Sequence, residues 1–168
     1  MPARLRAVWV SGLLSVLLFG AIALYLAPLE PNILALQFAP TPASFAAVIH
    51  RWPTEHLARY RAHLFADFGL LLSYGGFGFL CATRTRLFSG LSVRLNWAAR
   101  WVLPAAAAFD AAEDVLHLWL TQTPRFGHPT VYLAATAFSA TKWGLLLAFG
   151  VLVVLALLGD DPVPRQPL

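Results

Sequence analysis

Apolar residues in this chain gather into four long runs, 7–27, 62–82, 100–121 and 131–158. Each approaches or exceeds the roughly 20 residues that an α-helix needs to cross the apolar core of a bilayer. The pattern predicts an all-α fold, a bundle of four transmembrane helices making one membrane domain over residues 1–158. The fourth run is long enough to tilt or protrude. The first run is longer than the apolar stretch of a usual signal peptide, and Pro28 directly follows its only small-residue site, "YLA", so it reads as an uncleaved helix. Residues 28–61 are the largest connection. Within them Thr41 or Pro42 starts a short amphipathic helix in which Phe45, Val48, Ile49 and Trp52 recur at helical spacing, and Pro53 ends it. Such a segment suits the membrane surface or the end of the bundle. The tail "GDDPVPRQPL", 159–168, is polar and proline-rich, and is expected to be disordered.

Composition narrows the class further. The chain has 168 residues, 59% of them hydrophobic and 12% charged, with mean hydropathy +0.67. Soluble domains carry about 25% charged residues, twice the density found here. The net charge of +4 does not indicate a nucleic-acid partner, because the basic residues stand singly at the ends of apolar runs and not on one face. The lone Cys81 excludes an internal disulfide, a cysteine-rich zinc site and a dithiol redox pair, and reads as a small buried apolar residue.

Those basic residues instead report orientation. With the N-terminus in the cytoplasm, Arg4, Arg6, Arg84, Arg86, Arg94, Arg100 and Arg165 lie inside, against Arg51, Arg59, Arg61 and Arg125 outside. The excess of seven over four predicts a multi-pass protein of the bacterial inner (plasma) membrane with both termini cytoplasmic. In the second run Gly69, Ser73 and Gly76 make a small-residue stripe, with Gly75 and Gly78 beside it, so a neighbouring helix is expected to approach closely there.

The polar residues inside the runs carry the candidate chemistry. Four of the eight carboxylates, Asp67, Asp110, Glu113 and Asp114, fall within predicted spans, as does the only lysine, Lys142. A charge near the bilayer centre costs about 2.5–3.5 kcal/mol on insertion scales, so each must be paired, hydrated or used. In "FDAAEDVLHLWL" the positions 110, 113, 114 and 117 follow the i, i+3, i+4, i+7 rule and form one stripe. His63 and Asp67 are likewise one turn apart. At 1.5 Å per residue Asp67 lies about 8 Å into the second span, and Tyr74, Asp110 and Lys142 lie near the middle of theirs. The polar groups thus converge on the outer half of the bundle. A ligand site lined by Asp67, Tyr74, Asp110, Glu113, Asp114, His117 and Lys142 follows, with His63 at its edge and Arg59 and Arg61 at its mouth.

Several chemistries compete for it. A pocket for a small molecule or a lipid headgroup is one, since polar groups between helices are how membrane bundles hold ligands. An ion network that only sets helix register is another, but four acids facing one lysine exceed that need. Asp114-Val-Leu-His117 has the carboxylate-x-x-His spacing of di-iron bundles, which normally use it twice, whereas here it occurs once and Lys142 opposes a cation. Two histidines, His63 and His117, are a minimal basis for a haem. No nucleophile elbow, phosphate loop or zinc-protease motif is present. The reading therefore assigns no cofactor, no resident metal and no reaction.

Four segments together, "LQFAPTPASFAAVIHRW", "DFGLLLSY", "DAAED" and the lysine of the last run, resemble a group of uncharacterised bacterial four-helix integral membrane proteins. The resemblance implies the four-span architecture and the positions Asp67, Asp110, Glu113 and Lys142, with no activity attached. In that pattern the third-helix acidic pair is often followed by asparagine. This chain has Asp114 there, and the added carboxylate complicates any one-to-one pairing with Lys142.

Overall fold

The computed structural model describes residues 3–122 and 127–159. The described residues form six helices and no strand: α1 Ala3–Leu26, α2 Ile33–Gln37, α3 Pro42–Ile49, α4 Thr54–Arg84, α5 Val93–Leu120 and α6 Pro129–Leu158. The four long helices pack in series, α1 on α4, α4 on α5 and α5 on α6, while the two short ones sit against the N-terminal half of α6. Of the tail expected to be disordered, 160–168 lie outside the described residues.

Three helices, α1, α4 and α6, are long and apolar enough to cross a membrane. The fourth expected span, 100–121, coincides with the latter part of α5 and its C-cap Thr121. At 28 residues α5 is long enough, but Arg100 and its own three carboxylates hold it below the apolarity of the others. Some of its large apolar residues nevertheless face outward: Trp97, Trp101 and Val115 are exposed while Asp110, Glu113, Asp114 and His117 are buried. α1 is the extreme case, with Trp9, Leu13, Leu17, Phe19 and Leu24 all exposed on a helix that offers its neighbours little more than Val8 and Leu26.

The connection 28–61 is far more helical than its sequence suggests. α4 begins at Thr54, roughly two turns before the expected start at 62. Its early residues Glu55, His56, Arg59 and Arg61 interrupt the apolar run without interrupting the helix, because they lie beyond the bundle's apolar stretch. The short helix expected after Thr41 is α3. A reciprocal capping box starts it, with Thr41 Oγ1 accepting from Ser44 N and Ser44 Oγ accepting from Thr41 N, both at 3.1 Å. α2, which the apolar pattern does not reveal, is capped by Asn32 through Ala35 N. Trp52 Nε1 donates to Pro31 O at 2.8 Å and closes this segment into a compact cap. α3 thus buries its apolar face on the bundle end, Phe45 packing edge-on against Tyr132 and tilted against His117.

Close helix approach occurs on α4, at a different register from the expected stripe. A Cβ on Gly78 would lie 2.5 Å from Leu103 Cβ, and one on Gly75 would lie 3.1 Å from Ala107 Cβ. Gly76 faces open space and Gly69 meets only Leu18 at 3.8 Å. The α4–α5 seam therefore runs along Gly75 and Gly78, and α5 continues unbroken through Pro104 beside it. Gly78→Ala should lower stability by about 1–3 kcal/mol through overpacking, whereas Gly76→Ala should be neutral or slightly stabilising. Denaturant midpoints of the two purified variants check this, and equal midpoints would count against the seam.

Candidate functional site

The polar residues of α4, α5 and α6 meet where these helices pack, at the half of the bundle nearer α2 and α3. The helical repeat brings Asp110, Glu113, Asp114 and His117 to one face of α5, and all four are buried. Lys142 of α6 points into that face. Its Nζ lies 2.5 Å from Asp110 Oδ1 and 2.7 Å from Glu113 Oε2, the second a close ion-pair contact whose angle falls short of a hydrogen bond. Tyr74 of α4 donates its hydroxyl to the other Asp110 oxygen, Oδ2, at 3.1 Å. Asp110 thus joins all three helices.

α4 adds a third wall. One oxygen from each of Asp67, Asp110 and Asp114 falls within 4.8 Å of the other two, and all three residues are buried. Asp114 Oδ2 has no hydrogen-bond partner although the residue is only 3% exposed. No ion pair reaches Asp67 or Asp114 among the described residues. With every group ionised, four carboxylates against one lysine leave three negative charges in excess, in a place where water is too scarce to screen them.

Toward the capped end the cluster continues through a residue that sequence reasoning misses. Tyr60, fully buried, has its hydroxyl 2.6 Å from His117 Nδ1, and its carbonyl accepts from His63 Nδ1. Because a carbonyl can only accept, His63 holds its proton on Nδ1, which leaves Nε2 as the acceptor in a neutral ring. His117 Nδ1 also lies 3.8 Å from Glu113 Oε1. The signal for Tyr60 is its spacing: 60, 63, 67 and 74 share one face of a helix, once α4 is known to begin early enough to include it. Ser139 of α6, one turn before Lys142, is fully buried and is likewise absent from the sequence reading.

A cavity of about 610 Å³ opens beside the cluster, between α1, α2, α4 and α6. Its wall is largely apolar, with Phe19, Ile22, Leu70 and Leu146 among the contributors, and its polar residues include Asp67, Tyr74, Asp110, Lys142, His63 and Gln37. Four of the seven expected site residues, Asp67, Tyr74, Asp110 and Lys142, therefore face it. Glu113, Asp114 and His117 do not line it; they lie behind, on the far side of the Asp110–Lys142 pair. Arg59 and Arg61 are also absent from the wall. Arg59 caps α1 by donating to Tyr25 O at 3.0 Å and lying over the Tyr25 ring, and Arg61 donates to Thr121 Oγ1 at the end of α5. They fasten helix ends and do not form a mouth.

The carboxylate-x-x-His spacing is not used as a ligand pair. Asp114 offers its oxygen to Asp67 and Asp110, while His117 is held one turn away by Tyr60. A haem between His63 and His117 has no support either, since both rings pack against the same Tyr60.

Comparisons with family models, curated proteins and solved structures return no match for this chain. The site must therefore be read from its own geometry.

Removing Lys142 strands two buried carboxylates. Lys142→Met should destabilise by about 3–5 kcal/mol, and Asp110→Asn in the same chain should recover part of that loss, because one uncompensated charge is then gone. Unfolding of the two single variants and the double variant in detergent checks this. Strict additivity of the two changes would show that the groups do not interact.

Proposed function

We propose that this chain is a four-span membrane protein that binds an amphiphile, its apolar body in the cavity beside α1 and its polar head against Asp67, Tyr74, Asp110 and Lys142. The observation that carries the reading is the cavity itself: about 610 Å³, apolar on most of its surface, and ending on the Asp110–Lys142 ion pair. Its volume is in the range of sites for drug-sized molecules, about 300–1,000 Å³. Mostly apolar walls with a few convergent polar groups are also the usual composition of such sites.

The membrane setting supports the reading. Exposed Leu13, Phe19, Phe65, Leu72, Val115, Leu133, Leu147 and Val151 cover all four long helices, more apolar surface than a water-soluble monomer tolerates. α5 then crosses with the others, its charges turned to the interior and its apolar side to lipid. With both termini in the cytoplasm, as the arginine distribution favours, the α2–α3 cap lies outside and the cavity belongs to the outer half of the bilayer.

A second reading, an accessory subunit in which the ion network only sets helix register, is favoured by one observation. Lys142 bridges Asp110 and Glu113 and so clamps α6 to α5 without any ligand. It leaves the cavity and the open Asp67 unexplained, which places it second.

Leu146 lines the cavity from α6 and is half-buried, so Leu146→Trp adds an indole to the volume without touching the ion pair. Mass spectrometry of the protein released from mild detergent should find about one amphiphile per chain in the wild type and less than a tenth of that in the variant, at equal helicity. Equal occupancy in the two proteins, or none in the wild type, would remove the cavity as a binding site.

A further inference from the structure

We infer that Asp67, Asp110 and Asp114 form a binding site for a hard divalent cation of about the size of Ca²⁺, an all-oxygen site inside the bundle. The donors are the one oxygen from each residue that lies within 4.8 Å of the other two, contributed by α4 and by two successive turns of α5. An ion at the centre of such a triangle would stand about 2.8 Å from each oxygen at its widest, and a contraction of a few tenths of an ångström reaches the roughly 2.3–2.6 Å of Ca²⁺–oxygen bonds. Mg²⁺, at about 2.0–2.1 Å and with a stricter octahedron, needs a much larger contraction. Carboxylate oxygens without nitrogen or sulfur suit Ca²⁺ and Mn²⁺ over zinc, copper or iron.

Two further observations point to an ion here and not merely to clustered acids. Asp114 Oδ2 is buried with no hydrogen-bond partner, an acceptor left open beside the other two aspartates. Lys142 spends its charge on Asp110 and Glu113, and no ion pair among the described residues serves Asp67 or Asp114. A divalent ion beside those two supplies the positive charge that Lys142, committed to Asp110 and Glu113, does not. Access is built in, because Asp67 and Asp110 both line the cavity. The site does not depend on the amphiphile.

The test is a titration of the chelator-stripped protein, in phosphatidylcholine nanodiscs, with Mn²⁺ followed by loss of the free-ion paramagnetic resonance signal. One Mn²⁺ per chain should bind and be displaced by excess Ca²⁺. Asp114→Asn should weaken binding at least tenfold, whereas Glu55→Gln, on the exposed first turn of α4, should leave it unchanged. Should Asp114→Asn lose its helicity, Asp67→Asn carries the same expectation. Absence of chelator-reversible binding in the wild type would overturn the site outright, and so would binding that survives the aspartate change in a folded variant. Neither result bears on amphiphile occupancy, which Leu146→Trp reads separately.

Discussion

A single ammonium group, Lys142 Nζ, holds the interior of this bundle together. It reaches Asp110 at 2.5 Å and Glu113 at 2.7 Å across the α5–α6 seam. Buried charges are tolerated when their partners are close, because each desolvated ion costs several kcal/mol. The pair therefore sets both the rotation of α5, whose acidic stripe must face inward, and the depth of α6, whose lysine must arrive level with Asp110. Tyr74 extends the constraint to α4 through the second oxygen of Asp110.

The remaining polar groups arrange themselves around that pair in two directions. Toward the cap, Tyr60 links His63 and His117, and Phe45 of α3 covers the histidine, so this side is closed. Toward α1, Asp67, Tyr74, Asp110 and Lys142 open on a cavity. The same ion pair is thus buried behind by aromatic residues and presented in front to an apolar chamber. A network serving only to fix helix register gains nothing from leaving four of its polar members facing a chamber. α1 takes part chiefly as the far wall of that chamber, consistent with its packing on α4 and its otherwise lipid-like exterior.

How much of this is legible in the sequence depends on the range of each signal. The α5 stripe follows from helical periodicity, and Lys142 stands out as the only lysine, so the cluster Asp67, Tyr74, Asp110, Glu113, Asp114, His117 and Lys142 emerges from pattern and depth. Its division into a front and a back does not, because that requires knowing where α1 and α2 lie. Tyr60 is hidden for a local reason: Glu55, His56, Arg59 and Arg61 dilute the hydropathy of the first turns of α4, although a helix emerging from a bundle end can carry them at no cost. The expected stripe runs through Gly69, Ser73 and Gly76 with Gly75 and Gly78 beside it, and the close approach falls on those last two, since periodicity identifies the faces of a helix without saying which one meets a neighbour. α2, at five residues, is too short for any periodic signal. The apolar signal of α5 is the converse case, where the charges of the acidic stripe are the ones that weaken it.

Because Lys142 is the only lysine, ¹⁵N-lysine labelling places one Nζ resonance in the whole chain. Solid-state NMR of the protein in lipid bilayers, with ¹³C-labelled aspartate and glutamate, tests the central ion pair directly. Through-space transfer from Nζ should reach one aspartate and one glutamate carboxyl carbon, and both correlations should vanish in Lys142→Met. An Nζ resonance that correlates with water and with no carboxyl carbon would contradict the account at its foundation.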